Sequence, residues 1–134
     1  MGSTRLPGKV LKKMGGKPLI EILFHRLSQS RIINKVILAT SHSRDNDDLV
    51  ETVKKLGFEV FRGSEEDVLD RYYEAAKLYR PQAVVRITGD CPIIDPMLVD
   101  EVIGLYQERN VDYASNTQPP TFPDGLDTEV FSFR

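Results

Sequence analysis

Short apolar runs alternate with amphipathic helical stretches along almost the whole of this 134-residue chain, and this alternation restricts the fold more than any other feature. The runs at 35–40, 58–61 and 83–88 are rich in strand-forming residues, and each is followed by apolar residues at helical spacing. Strands that alternate with helices favour a parallel sheet covered on both faces. We therefore predict a doubly wound, mostly parallel α/β sheet with helices on both faces, in one domain over residues 1–134.

Local start and stop signals set the boundaries of the predicted elements. Proline and acidic residues mark helix starts, and glycine or proline marks helix ends. One start, at Ser64, resembles a capping box. The four predicted helices begin at Pro18, near Asp47, at Ser64 and at Asp95; two further strands are predicted at 112–115 and 128–133, and loops at 1–16 and 116–125.

Composition excludes several classes of protein. Cys91 is the one cysteine, so neither an intramolecular disulfide nor a cysteine-rich zinc site can form. The net charge is -2 and no basic stripe runs along the chain, so we expect no nucleic-acid partner. The apolar runs are too short to span a membrane and no secretory signal is visible. We expect a cytoplasmic protein with no membrane partner.

The run 84–92 reads as a buried strand that stops at Gly89 and presents Asp90 at its carboxyl end. In open α/β sheets, ligands bind just outside the carboxyl ends of the strands. A carboxylate there, beside a glycine that lets a ligand approach the backbone, suits a divalent metal that is held against a nucleotide phosphate. The alternative is an aspartate that only caps a loop. Thr40 also ends a predicted strand on this side and could touch the base or the ribose.

The glycine-rich amino-terminal loop, residues 2–9, is a second candidate for binding phosphate. It nearly matches a P-loop, but five residues rather than four separate its outer glycines, and Val10 stands where Ser or Thr would hold magnesium. A dinucleotide fingerprint is also absent. Glycine amides could still face phosphate oxygens, while Arg5 and Lys9 could neutralise charge on a transferring phosphoryl group. The alternative is a solvated basic terminus.

Several other reactive residues have simpler interpretations. A nucleophilic Cys91 would need a histidine nearby, and His25 and His42 are predicted to lie in a helix and a loop elsewhere. The acidic run 44–48 lacks the spacing of a calcium loop and is read as a solvated helix start. None of these residues is predicted to be catalytic.

Taken together, six segments resemble one family. The sequence is similar to the cytidylyltransferases that make CMP-sugars, among them the CMP-Kdo synthetases and the acylneuraminate cytidylyltransferases. It is most similar to the spore coat polysaccharide biosynthesis protein F group. The resemblance covers nearly the whole chain, in order and at sensible spacing. The segments that carry it are residues 3–9, 15–19, 36–40, 61–73, 88–92 and 121–127.

This resemblance implies a nucleotide-diphospho-sugar transferase-like fold and a reaction. The reaction is transfer of CMP from CTP to an acidic sugar of a surface polysaccharide, with release of pyrophosphate and dependence on Mg²⁺. Its catalysis would be mostly positioning and charge neutralisation. Matched residue by residue, the family's roles fall on Lys9 and Asp90 for catalysis, Asp90 for the metal, Arg5, Gly8, Lys9, Thr40, Arg71 and Gly89 for the nucleotide, and Asp124, Asp127 and Glu129 for the acceptor sugar.

The sequence also departs from the family. Members begin with a hydrophobic strand and a further arginine, draw later contacts from residues beyond position 134, and in several cases carry a dimerisation element. We therefore expect a family domain that lacks its first strand and its C-terminal part, and a possible homodimer. Two alternatives stay open: a transferase for another nucleotide and a sugar phosphate, and a non-catalytic domain of the same fold.

Overall fold

The structure is a computed structural model that describes residues 8–133, and within that range it confirms the α/β class. Helices and strands alternate in the predicted order. They are β1 (Lys13–Met14), β2 (Lys17–Pro18), α1 (Leu19–Leu27), β3 (Ile37–Ser41), α2 (Asp47–Lys55), β4 (Glu59–Gly63), α3 (Val68–Tyr79), β5 (Ala83–Arg86), α4 (Pro96–Arg109), β6 (Tyr113–Ser115) and β7 (Glu129–Ser132), with 3-10 turns at Lys9–Leu11 and Arg44–Asn46.

The strands of the described region pair in a more mixed way than the mostly parallel sheet that the sequence predicts. β3 and β4 are parallel, in register from Ile37 opposite Glu59 to Ser41 opposite Gly63. β5, β7 and β6 form a separate sheet in which β7 lies in the middle and is antiparallel to both neighbours. The reason is connectivity: a helix returns the chain from β5 to β6 in the same direction, whereas a loop joins β6 to β7 and reverses it.

Two helix starts are set by local capping bonds. α4 begins as predicted, because the Asp95 carboxylate accepts the Met97 backbone N–H at 2.9 Å and Pro96 follows it. α3 begins later than the predicted start at Ser64. Its N-cap is Asp67, which accepts the Asp70 N–H at 2.8 Å, while Ser64 Oγ accepts the Asp67 N–H in the preceding turn.

The predicted loop over residues 1–16 contains a hairpin in its described part. β1 and β2 pair antiparallel, with Met14 opposite Lys17, and Gly15 and Gly16 form the turn. Both glycines have positive φ, 59° and 83°, which a tight two-residue hairpin turn requires. The two glycines, which the sequence predicts to lie in an irregular loop, therefore form a hairpin turn.

The core lies between the helices and the two larger sheets. Val53, Ile94, Val99 and Val130 have no exposed surface, and α1 contributes a continuous buried stripe. None of the helices formed by residues 8–133 is both long and apolar enough to cross a membrane. The central cluster consists of Ile20, Leu23, Phe24, Leu27, Leu49, Val53, Ile94, Val99, Val102, Ile103, Ala114 and Val130.

Thr128 carries a buried hydroxyl that weakens this core. Its side chain is fully buried, and Oγ1 has no hydrogen-bond partner among residues 8–133. An unpaired buried polar group costs about 1–3 kcal/mol. We expect Thr128→Val, which keeps the shape and removes the hydroxyl, to raise the free energy of unfolding in urea by about 1 kcal/mol. Thr52→Val is the control, since Thr52 Oγ1 donates to the Asp48 carbonyl at 2.7 Å and its removal brings no such gain. A loss of stability in Thr128→Val would contradict the prediction.

Candidate active site

The carboxyl ends of β3, β4 and β5 lie on one side of the molecule, next to the first turns of α3. β3 and β4 end together at the register pair Ser41 and Gly63. Arg71 of α3 packs against the end of β4: a Cβ added to Gly63 would lie 3.0 Å from Arg71 Cγ. The next residue, Tyr72, interacts electrostatically with Arg86 at the carboxyl end of β5. This edge is where ligands bind in α/β sheets.

Lys9 and Asp90 form an ion pair at this edge, with Lys9 Nζ 2.6 Å from Asp90 Oδ2. Lys9 opens a 3-10 turn directly after Gly8, whose φ of 65° is in the left-handed region that favours glycine. Asp90 lies just beyond β5, after Gly89, and Val10 Cγ1 is 3.5 Å from where a Cβ on Gly89 would stand. The glycine loop and the aspartate loop are therefore in direct contact.

The charge state of Asp90 follows from its neighbours. The hydrogen bond from Lys9, followed by one from Thr88, holds the pKa of the Asp90 carboxyl below its ordinary value. The carboxylate is thus ionised at neutral pH and about half exposed, at 48%. The Asp90 carboxylate can therefore bind a cation, and the adjacent Lys9 ammonium group can bind an anion beside it.

Cys91 is buried beside this aspartate and has a structural environment. Its backbone N–H donates to the Thr88 carbonyl at 3.2 Å, and its Sγ lies 3.2 Å from Thr88 Oγ1. Burial raises the pKa of the Cys91 thiol, so the reactive thiolate is disfavoured. The backbone of Asp127 also acts on the pKa of this thiol, so the base of the 116–127 loop lies next to the Asp90 turn.

Asn116 organises that loop, and sequence reasoning missed it. Its Oδ1 accepts the Thr128 N–H at 2.9 Å, its Nδ2 donates to the Leu126 carbonyl at 2.9 Å, and its own carbonyl accepts the Thr121 N–H at 3.1 Å. Only 7% of its surface is exposed. The signal in the sequence was an asparagine between a strand and a proline-rich loop, a residue that commonly bonds nearby backbone.

The predicted acceptor residues occupy different environments. Asp124 is exposed in the loop that Asn116 braces, and Asp127 is partly buried at its base. Glu129 starts β7 and forms an ion pair with its register partner Arg86, at 2.7 Å between Oε1 and Nη1. Asp127 and Glu129 lie near the carboxyl end of β5, and Glu129 is engaged within the sheet.

The predicted nucleotide residues are also spread along this edge. Gly8, Lys9 and Gly89 gather around Asp90, whereas Thr40 is buried near the end of β3. Arg71 donates from Nη1 to the Ser64 carbonyl at 2.7 Å, so it braces the turn after β4. Arg5 lies outside the described residues.

Metal binding by protein groups alone does not fit this region. Within residues 8–133 no cluster of three or more His, Cys, Asp or Glu side chains could hold an ion. Magnesium, however, usually takes one or two carboxylates and completes its shell with phosphate oxygens and water. The single ionised Asp90 fits a metal that arrives with a phosphate ligand.

An open cleft elsewhere does not coincide with these groups. It is lined on one side by α1 and on the other by Leu56 and Phe58, and it contains a lysine, a glutamate and a histidine from α1 and β2. None of the predicted site residues lines it. The candidate site is thus identified by its charges and its strand ends rather than by this cleft.

Comparison with known proteins identifies the family. Residues 1–132 match the cytidylyltransferase family. This chain belongs to the cytidylyltransferases. It is 44% identical over 117 residues to the spore coat polysaccharide biosynthesis protein SpsF of Bacillus subtilis, covering 84% of this chain and 49% of that protein. It is 33% identical over 109 residues to the 3-deoxy-manno-octulosonate cytidylyltransferase of Geobacter sulfurreducens, covering 80% of this chain and 42% of that enzyme.

A solved structure shows the same relationship. A cytidylyltransferase from Leptospira borgpetersenii superimposes with a TM-score of 0.92 at 38% identity, covering 99% of this chain and 57% of the other. The fold is thus that of the cytidylyltransferases, as the resemblance implied. The chain spans about half the length of the relatives it matches.

Proposed function

We propose that this cytidylyltransferase transfers CMP from CTP to an acidic sugar of a surface polysaccharide and releases pyrophosphate. The observation that carries the proposal is the 2.6 Å contact of Lys9 with Asp90 at the carboxyl edge of the strands. One cation for phosphate and one carboxylate for a metal, in contact on two adjoining loops, match the charges of a metal–triphosphate complex.

The residues of this chain would act by binding and orientation. Lys9, with the backbone amides after Gly8, would hold triphosphate oxygens, and Arg5 would join them from the preceding segment. Asp90, released from Lys9, would hold Mg²⁺, which when bound neutralises charge on the phosphates. Gly89 has no side chain, so a ligand could approach its backbone.

The base and ribose would lie against the ends of β3 and β4. Thr40 lies near the end of β3, and Arg71 of α3 holds the turn after β4 by donating to the Ser64 carbonyl. The attacking group would be a sugar hydroxyl placed in line with the departing pyrophosphate, so the protein forms no covalent intermediate.

The acceptor would approach from the 116–127 loop. Asp124, Asp127 and Glu129 offer carboxylates that would accept hydrogen bonds from sugar hydroxyls, and Arg86 holds that of Glu129 in an ion pair. The acidic character of the sugar rests on the resemblance and on the 3-deoxy-manno-octulosonate named in a relative. A cytoplasmic location and a homodimer complete the proposal; light scattering of the purified protein would test the dimer.

Thermal unfolding tests nucleotide binding directly. At a CTP concentration about 100 times Kd, with millimolar Mg²⁺, ligand binding adds about 2.7 kcal/mol to stability. For a chain of this size we expect a rise in Tm of about 10 °C. UTP, GTP and ATP serve as matched controls and should give smaller shifts.

Each result has a definite meaning for the proposed function. An equal or larger rise in Tm with another nucleotide would contradict the choice of CTP as the donor. The absence of a shift with all four nucleotides and Mg²⁺ would overturn nucleotide transfer and favour a non-catalytic domain of the same fold.

A further inference from the structure

Arg62, at the carboxyl end of β4, fixes the loop that follows β3. Its Nε donates to the Ser41 carbonyl at 3.1 Å and its Nη2 to the Ser43 carbonyl at 2.7 Å. Its Nη1 forms an ion pair with Asp47 Oδ1 at 2.7 Å, at the start of α2. One guanidinium group therefore ties three successive parts of the β3–α2 connection to the neighbouring strand.

This arginine is a brace rather than a ligand-binding group. All three of its guanidinium nitrogens already donate to the protein, and only 28% of its side chain is exposed. A second bond stiffens the same loop, because Asn46 Nδ2 donates to Ser41 Oγ at 2.7 Å. The loop 41–46 therefore has a defined backbone at the edge where the strands end.

We propose that Arg62 is a positioning residue for nucleobase selectivity, because it fixes the polar backbone of the 41–46 loop, which begins at the strand end where the proposed function puts the base. This inference rests on the proposed function. A site discriminates between bases when its polar groups cannot move to accommodate the wrong hydrogen-bonding pattern. Loss of Arg62 frees the Ser41 and Ser43 carbonyls and allows the loop to adapt to a different base. Discrimination between nucleobases then falls even if the phosphates bind as before.

The three bonds of Arg62 make unequal contributions. Two are charge-assisted bonds to backbone carbonyls, a strong type of hydrogen bond. The third is an ion pair with Asp47, whose side chain is 53% exposed, and such surface pairs contribute little. Lysine cannot replace the planar fork of arginine, since it offers one compact charge instead of a fixed set of donors.

The same two strands supply a matched control. Lys35 and Glu59 form an ion pair of 2.6 Å at the amino end of β3 and β4, the end opposite to Arg62. Lys35→Met removes a cation from the same strand pair without touching the 41–46 loop. Asp47→Asn removes only the weak bond of Arg62 and leaves both carbonyl bonds in place.

Calorimetric titration of the full chain with CTP and with UTP, each with Mg²⁺, tests the proposal. The wild-type protein is expected to prefer CTP. Arg62→Met and Arg62→Lys should lower the ratio of CTP to UTP affinity about tenfold or more, whereas Lys35→Met and Asp47→Asn should change that ratio less than about twofold. Amide hydrogen exchange without nucleotide should become faster over residues 41–46 in the two Arg62 variants and stay unchanged in Lys35→Met.

A change of ratio is the outcome that a purely structural role would not give. If both Arg62 variants are folded and keep the wild-type ratio, or weaken CTP and UTP equally, the inference is overturned. If Arg62→Met does not fold, the ratio of CTP to UTP affinity in Arg62→Lys tests the inference. A wild-type protein that binds CTP and UTP equally overturns this inference and the choice of CTP as donor, and one that binds no nucleotide overturns nucleotide transfer as well. A wild-type preference for CTP that both Arg62 variants keep overturns this inference alone.

Discussion

Replacement of Asp90 by Asn will weaken the binding of CTP in the presence of Mg²⁺ by roughly ten- to a hundredfold. Asn keeps the shape of the side chain but loses the ionised oxygen that would hold the metal, and it also releases Lys9 from a 2.6 Å ion pair. An interaction with a charged group contributes about 1.5–3 kcal/mol, which corresponds to that range of affinity. Calorimetric titration with CTP at constant Mg²⁺ measures the change.

The control for this prediction is Asp112→Asn, which makes the same chemical change at the amino end of β6, away from the strand ends that form the site. Its affinity should equal that of the wild-type protein. Without Mg²⁺, Asp90→Asn should bind CTP at least as tightly as the wild-type protein, because the substitution frees Lys9 and removes a negative charge beside the phosphates. Unchanged Mg²⁺-dependent affinity in Asp90→Asn would contradict the assignment of Asp90 as the metal ligand.

Replacement of Phe24 by Ala will have the largest effect on stability, a loss of about 3–5 kcal/mol in the free energy of unfolding. Phe24 is only 4% exposed in α1, and its ring meets that of Phe58 edge to face with centroids 4.7 Å apart. The substitution removes the buried ring and leaves a cavity between α1 and β4, which the surrounding core can fill only in part. Urea unfolding followed by circular dichroism measures the loss.

Leu105→Ala is the matched control on another helix. Leu105 of α4 is 45% exposed, so its truncation leaves no buried cavity, and a change within about 0.5 kcal/mol is expected. A Phe24→Ala protein that loses less than about 1 kcal/mol would show that the α1 stripe is not packed as described.

Features fixed by neighbouring residues could be predicted from the sequence. The start of α4 needs only Asp95 and Pro96, and the alternation of apolar runs gave the α/β class. The start of α3 was placed too early, because both Ser64 and Asp67 can cap a helix. The observed start is accompanied by a contact within the same segment, in which Arg71 Nη1 donates to the Ser64 carbonyl.

The residues of the candidate site were also predicted only in part. Lys9 and Asp90 were singled out by their loop and strand-end positions, and the structure brings them together. Asn116 and Arg62 were missed because they bond to backbone carbonyls and amides, and backbone partners leave no mark in a sequence. The central position of β7 could not be predicted either, since an alternating strand pattern does not show which strands will be its neighbours in the sheet.

The pairing of Lys9 with Asp90 has a consequence for how a nucleotide would enter. Without ligand, the opposite charges of Lys9 and Asp90 cancel each other at close range. The pair therefore produces only a weak electrostatic field in the solvent, and it attracts neither free anions nor free cations from a distance. Entry is then an exchange of partners at contact, in which the ammonium leaves the carboxylate for a phosphate as the carboxylate accepts the accompanying ion. A ligand that carries only one of the two charges would leave the other residue unpaired.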